Sequence, residues 1–512
     1  MSLRRLPIHT VAASTGLWTT LALALLTTGT PLVNLYFPDY LPGYLIQIPA
    51  IALLYFYFNH FQLIDTYKLW TERLLLFLAF ATPLQNTFLI KAYRKAFLDE
   101  HILLEILRPD ILVLIGLAIC IARGRKTVHL PSILMASFLT GLIGWITASM
   151  FSEHPSVSLG SGFFEFLSVW ATLYIVLAIA PDRQFVTHAT ILFCLGAGLA
   201  ALAQTIAIWP GIPTNTVFGF PAFADEFLRI KKNVQLMIKA GGNGYGNTDN
   251  FASLWVLVVP LVAGLSYLTQ RSWITWTGLL LFCYAGLLIY SRSSIGAVIL
   301  GLGCLWLYRL IVYRSISLIL LVLIAGFLLI HLDPEIIRYY SNGIRSLIQS
   351  FLPHPAGDGS WPEWMRTQKD TIDASGTARA EAWRRGFEIA IANWKTGIGF
   401  GVYPIADPEY TAPHSMALLR FAEGGVLSLL SFLLFCIYAP IRLIELRGSK
   451  DILSAASLIS ISAFLLKAAV FGGSFSINGQ IVWGFGVALL LSNSLITDTR
   501  STKSDPFDTA KF

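Results

Sequence analysis

Residues 130–151 read LPSILMASFLTGLIGWITASMF, a run without one charged side chain. At about 1.5 Å of rise per residue, such a run is long enough as a helix to cross a hydrocarbon layer of about 30 Å. Lipid offers no water to backbone N–H and C=O groups, so the segment must satisfy them internally, which a helix does. The run is not isolated. Similar apolar blocks lie near 11–30, 44–61, 73–90, 102–122, 161–180, 185–208, 250–268, 274–290, 295–313, 317–331, 413–440, 451–470 and 480–497. Glu105, Arg108 and Asp110 interrupt the fourth block in chain order. The expected fold class is therefore all-α, a polytopic transmembrane helical bundle of about 12–14 spans. Composition agrees: 55% of the 512 residues are hydrophobic, 13% are charged and the mean hydropathy is +0.66. A soluble chain carries about 25% charged residues.

The net charge of +7 does not point to nucleic acid here, because loop cations are explained by retention on the cytoplasmic side. With the N-terminus inside, Lys68, Arg73, Arg123, Arg125, Lys126, Arg183, Arg271, Arg309, Arg314, Arg442, Arg447, Lys450 and Lys503 all fall on that side. Lys91, Arg94 and Lys95 fall outside and break the rule, unless they form a short interfacial segment or an early span is miscounted. Arg4 and Arg5 precede an apolar stretch as in a signal peptide. The region 27–31 lacks a small-x-small cleavage pattern, so an uncleaved first span is expected. Cys120, Cys194, Cys283, Cys304 and Cys436 all sit in apolar blocks, where no disulfide framework or zinc spacing is implied.

This topology divides the chain into N-terminal spans (1–208), a first outer loop (209–249), further spans (250–331), a large outer loop (332–412), C-terminal spans (413–497) and a cytoplasmic tail (498–512). Long loops in membrane proteins tend to be functional. In the second loop, ARAEAWRRGFEIAIANWK (378–395) sets Trp383, Phe387, Ile391 and Trp394 near a helical period. It reads as an amphipathic helix over the membrane domain, ended by the glycine-rich turn GIGFGVYP (397–404).

Three places could carry chemistry. Ser291-Arg292-Ser293-Ser294 sits at the outer end of one block and opens the next. Ser293 or Ser294 can cap the following helix, whose free N–H groups favour an anion, and Arg292 beside them would complete a phosphate site. An arginine snorkelling to the interface is the structural alternative. Arg379 lies in SGTARAEAWRRG, with Arg366, Arg384 and Arg385 as competitors; a solvated loop arginine is the plain reading of each. His414, in APHSMALLRFAEGG, stands where the loop re-enters the membrane. It can titrate near neutrality and act as a general base, or make an interfacial structural hydrogen bond. Arg420 and Glu423, three apart on one helix, read as a buried structural pair.

Together the three places outline a site for a polyprenyl-pyrophosphate donor: arginine forks fit phosphate oxygens, and a base serves an incoming hydroxyl. Neither long outer loop contains a DxD motif, which favours a route without metal or other cofactor.

Four elements in order carry a resemblance. They are GNGYGNTDNFASLWVLVVPL (242–261), the SRSS turn, Arg379-x-x-x-Trp383 leading into TGIGFGVYP, and His414-x-x-x-Leu418 followed by Glu423-x-Gly425. Their order and spacing resemble the O-antigen ligases and related Wzy-type polysaccharide polymerases. The resemblance implies a GT-C-type glycosyltransferase of the bacterial inner membrane, with its active site facing the periplasm. The donor it implies is a glycan on undecaprenyl pyrophosphate, and the acceptor is lipid A-core or another glycan. It makes Arg292 and Arg379 the pyrophosphate ligands and His414 the group that activates the acceptor hydroxyl. Ser293, Ser294, Arg366, Arg384, Asn250 and Glu423 become substrate-contacting candidates. Two departures bear on the acceptor subclass: Ser415 stands where the family often has Asn, and Gly424 where Leu is common.

Ligase, polymerase and protein O-oligosaccharyltransferase share these motifs. A lipid-linked-sugar transporter is the alternative from another class. Transporters usually show internal repeats and midplane polar residues in broken helices. No repeat is evident here, and the distinctive polar residues cluster at the outer face.

Overall fold

The computed structural model describes residues 53–67, 69–84, 130–208, 248–266, 279, 292–313, 382–408, 413, 415–446, 451–471 and 477–496. Among them every regular element is helical, and the chain is an all-α, multi-pass membrane protein. In chain order the helices are α1 (53–60), α2 (Leu63–Thr66), α3 (Trp70–Ala81), α4 (Ser132–Phe151), α5 (Pro155–Phe166), α6 (Thr172–Ile179) and α7 (Arg183–Ile208). They continue as α8 (Thr248–Leu265), α9 (Arg292–Tyr313), α10 (382–392), α11 (Tyr403–Ala406), α12 (Met416–Glu445), α13 (Ile452–Phe471) and α14 (Ile477–Leu495).

Five helices among the described residues are long and apolar enough to span a membrane. They are α4, the run Pro155–Ile179, Ser293–Val312 within α9, α12, and Ile452–Val470 within α13. The expected block 161–180 starts earlier than its apolar content indicated, at Pro155, and passes through a π-helical turn at Leu167–Ala171. The block expected over 73–90 is helical over Trp70–Ala81 and tightens into a 3-10 turn at Thr82–Leu84. Pro83 explains this, since proline supplies no N–H and disfavours α geometry in the residue before it. The expected blocks 11–30, 102–122 and 317–331, the cluster Lys91, Arg94 and Lys95, and residues 209–247 and 332–381 of the two outer loops lie outside the described residues. So does the block 274–290, apart from Leu279.

The helices fall into two compact units. In the first, α7 packs against α3 and α14, and α6 against α14. Two pairs of buried polar groups there satisfy one another, as an apolar surrounding favours. Tyr57 Oη and His188 Nδ1 are 2.9 Å apart, and Asn493 Nδ2 donates to Thr190 Oγ1 at 2.9 Å.

The second unit holds α4, α5 and α9–α13. Here α4 lies along α12 through a seam of small residues, Ser137, Gly141, Gly144 and Ala148, all buried. Small residues let backbones approach closely, which is how helices associate in lipid without a hydrophobic driving force. The hydroxyls of Ser137 and Ser431 each donate to the other residue's carbonyl, at 2.8 and 2.6 Å. On the far side of α12, Val426, Leu430, Leu433, Ile437, Ile441 and Ile444 recur every three or four residues and are exposed. In a membrane protein such a stripe faces acyl chains. α13 packs between α9 and α12.

Candidate active site

In the second unit the glycine-rich turn 397–401 packs against a break in α12. Gly425 interrupts α12 with φ 66° and ψ −164°, a conformation open in practice to glycine alone. The break strands hydrogen-bonding groups inside an apolar segment. The glycine-rich turn after α10 takes them up: Ile398 N–H donates to Ala422 C=O at 3.0 Å and Gly399 N–H to Glu423 C=O at 2.9 Å, while Val426 N–H donates to Trp394 C=O at 2.8 Å. Turn and kink thus complete one another.

Charge locks the same junction. The Glu423 carboxylate accepts Gly401 N–H at 2.9 Å and also the backbone N–H of Tyr403. Arg420 Nη1 lies 3.8 Å from Glu423 Oε2, makes a closer ion pair with Glu165 of α5, and its guanidinium sits 5.4 Å over the Phe400 ring. Arg420 and Glu423 are both buried. The α4–α5 hairpin holds the turn from its other side. Ser152 Oγ donates to Ile398 C=O at 2.7 Å and Ser158 Oγ accepts Phe400 N–H at 2.9 Å. The Ser149 and Ser158 hydroxyls are themselves 2.8 Å apart. Burial, with Asp407 and Glu423 adding to it and Arg385 opposing, pushes the Tyr403 phenol up to about 12, so it remains protonated beside this cluster.

The chain on both sides of His414 is anchored, although His414 itself lies outside the described residues. Pro413 is buried against Gly386 of α10. Ser415 is the N-cap of α12: its Oγ accepts Leu418 N–H at 3.2 Å and donates to Ala469 C=O of α13 at 2.6 Å. This gives the first family departure a physical meaning, since serine and asparagine are both strong N-caps. The second departure has a steric cause. A Cβ on Gly424 would lie 2.8 Å from the Phe400 ring and closer still to Ser428. Gly424→Leu is expected to lower stability by about 1–3 kcal/mol, as overpacking does. Gly160→Leu, at a position with nothing within 4 Å of the added Cβ, is expected to leave stability unchanged. Thermal unfolding of the two purified variants in one detergent checks both.

Other expected residues are placed as follows. Arg292, Ser293 and Ser294 are all helical residues of α9. Helix geometry includes polar residues that precede the apolar pattern. Ser294 is buried and Ser293 half-buried. Arg384 is exposed and paired with Glu388 four residues on, at 2.6 Å. Asn250 lies in α8, in the other unit. Arg366 and Arg379 lie outside the described residues. The expected pair of Arg420 and Glu423 is present and buried, and Glu423 commits its carboxylate to the turn backbone.

Two participants were passed over. Glu165 is the nearer partner of Arg420, and a lone acidic residue in the apolar run PSVSLGSGFFEF was its signal. Lys467 is buried in α13, two residues before the carbonyl that receives the Ser415 hydroxyl, and stands as one cation in SISAFLLKAAVF.

Comparison with known families places this region. The family model described as O-antigen ligase matches residues 277–433. No curated protein matches the chain. The matched residues include Arg292, Ser293, Ser294, Arg366, Arg379, Arg384, His414 and Glu423; the 242–261 stretch with Asn250 lies outside them. Residues 277–433 thus form a domain of the O-antigen ligase and Wzy superfamily of glycosyltransferase-like enzymes, carried on a multi-pass membrane chain.

Proposed function

We propose that the chain is a GT-C-type inner-membrane enzyme that transfers a glycan from undecaprenyl pyrophosphate to lipid A-core, or to another hydroxyl acceptor, at the periplasmic face. The observation that carries this reading is the family match over 277–433, because the two arginines and the histidine singled out at one membrane boundary all fall within it. In this reading Arg292 and Arg379 hold the pyrophosphate and neutralise the charge that develops as it leaves. His414 takes the proton of the acceptor hydroxyl. The hydroxyl oxygen then attacks the anomeric carbon, the bond from that carbon to the pyrophosphate oxygen breaks, and configuration inverts. Undecaprenyl pyrophosphate leaves with the bonding electrons.

The hydrogen bonds of Ser415 and of the 398–403 turn support this assignment. They hold Ser415, next to His414, and the turn that packs on α12. Orientation rests on the loop cations assigned to the cytoplasmic side. The absence of a DxD motif from both outer loops favours metal-independent transfer.

Surface polysaccharide from a strain lacking the gene, separated on a gel, tests the acceptor. The expected result is bare lipid A-core with long polymer accumulating on the carrier, restored by the wild-type gene. Lipid A-core capped with one repeat unit would instead make the chain a polymerase. An unchanged ladder would remove lipopolysaccharide as the product.

A further inference from the structure

Helix α10 and the turn after it divide into three sectors. At about 100° per residue, Trp383, Phe387, Ile391 and Trp394 share one arc. Arg384, Arg385, Glu388 and Lys395 share the next, and Ala382, Gly386 and Ala390 the third. The third sector is buried, with Gly386 close against Pro413 and Leu418. The charged sector is exposed, as its composition requires. The aromatic sector is exposed too: Trp383 is 40%, Phe387 57%, Ile391 50% and Trp394 49% accessible. Two tryptophans, a phenylalanine and an isoleucine on one open face need an occupant.

The structure names one by continuity. Trp394 C=O accepts Val426 N–H at 2.8 Å, and Val426 begins the exposed stripe of α12 that continues through Leu430 and Leu433. The aromatic face therefore joins, at a hydrogen-bonded junction, a surface that faces acyl chains. Tryptophan beside a cation suits the boundary of hydrocarbon and headgroups, and Lys395 Nζ sits 5.4 Å from the Trp394 ring centre.

We infer that Trp383, Phe387, Ile391 and Trp394 form a membrane foot: the loop helix α10 lies in the bilayer interface with its aromatic face in lipid and its charged face toward the headgroups and water. The inference stands on the spanning fold and not on glycan transfer. Its chemistry is that of an interfacial amphipathic helix, with a packed third face that fixes it to α12.

The test uses the full chain in nanodiscs with one copy per disc. The fluorescence of wild type minus that of a Trp383→Phe, Trp394→Phe double variant isolates the two foot tryptophans. Most of this difference emission is expected to be quenched by chain-brominated phosphatidylcholine and little of it by iodide. Phe387→Asp with Ile391→Asp is expected to reverse that order by lifting the helix into water. The inference is overturned if iodide quenches the wild-type difference emission and brominated lipid does not. It is equally overturned if shielding from iodide arises only with two copies per disc, because the face would then be a contact between chains.

Discussion

Arg420→Met is expected to remove most of the folded protein, at a cost of about 3–5 kcal/mol. The substitution leaves Glu165 and Glu423, which face one guanidinium from two helices, with no cation between them. Removing one partner of a buried ionic group costs more than the group contributed, because the remaining charge keeps its desolvation penalty. The loss reaches further than α12, since Glu423 also holds the backbone of Gly401 and Tyr403. Adding Glu165→Gln to Arg420→Met is expected to recover part of the stability, and a double-mutant cycle on unfolding midpoints measures how much. A purely additive cycle would show that the ion pair does not couple α5 to α12.

His414→Ala is the second large effect, and it should divide from the first cleanly. The variant is expected to reach wild-type amounts in the membrane, because the anchors on either side of position 414 are Pro413 and Ser415. Transfer is expected to fall by about 10²–10⁴-fold, the usual worth of a general base. Arg292→Ala is expected to fall by a comparable factor through lost stabilisation of the leaving pyrophosphate, with Arg292→Lys recovering little, since one ammonium does not reproduce a bidentate fork. Quantified membrane protein and product from the same cells read both quantities.

The all-α multi-pass class was legible in the sequence because lipid imposes a length rule that local composition reveals. The boundaries of α4, α12 and α13 differ from those of their apolar blocks by only a few residues. What stayed hidden was tertiary. The pairing of Arg420 with Glu423 can be read from a three-residue spacing, but its closer partner Glu165 lies far upstream on another helix. The break at Gly425 was also hidden, because the groups that satisfy the kink belong to the turn at 394–399. Ser415 and Gly424, read from sequence as departures, acquire causes in an N-cap and in the space that Phe400 occupies.

The central claim is glycan transfer from a carrier pyrophosphate by Arg292, Arg379 and His414. Its most direct test is reconstitution of the purified chain in liposomes with a polyprenyl-pyrophosphate-linked oligosaccharide and lipid A-core. The predicted result is glycan-capped lipid A-core and an equal amount of free polyprenyl pyrophosphate, both lost in His414→Ala and Arg292→Ala proteins of unchanged unfolding midpoint. Wild-type turnover by a folded His414→Ala protein, or no release of polyprenyl pyrophosphate by the wild type with any hydroxyl acceptor, would contradict it.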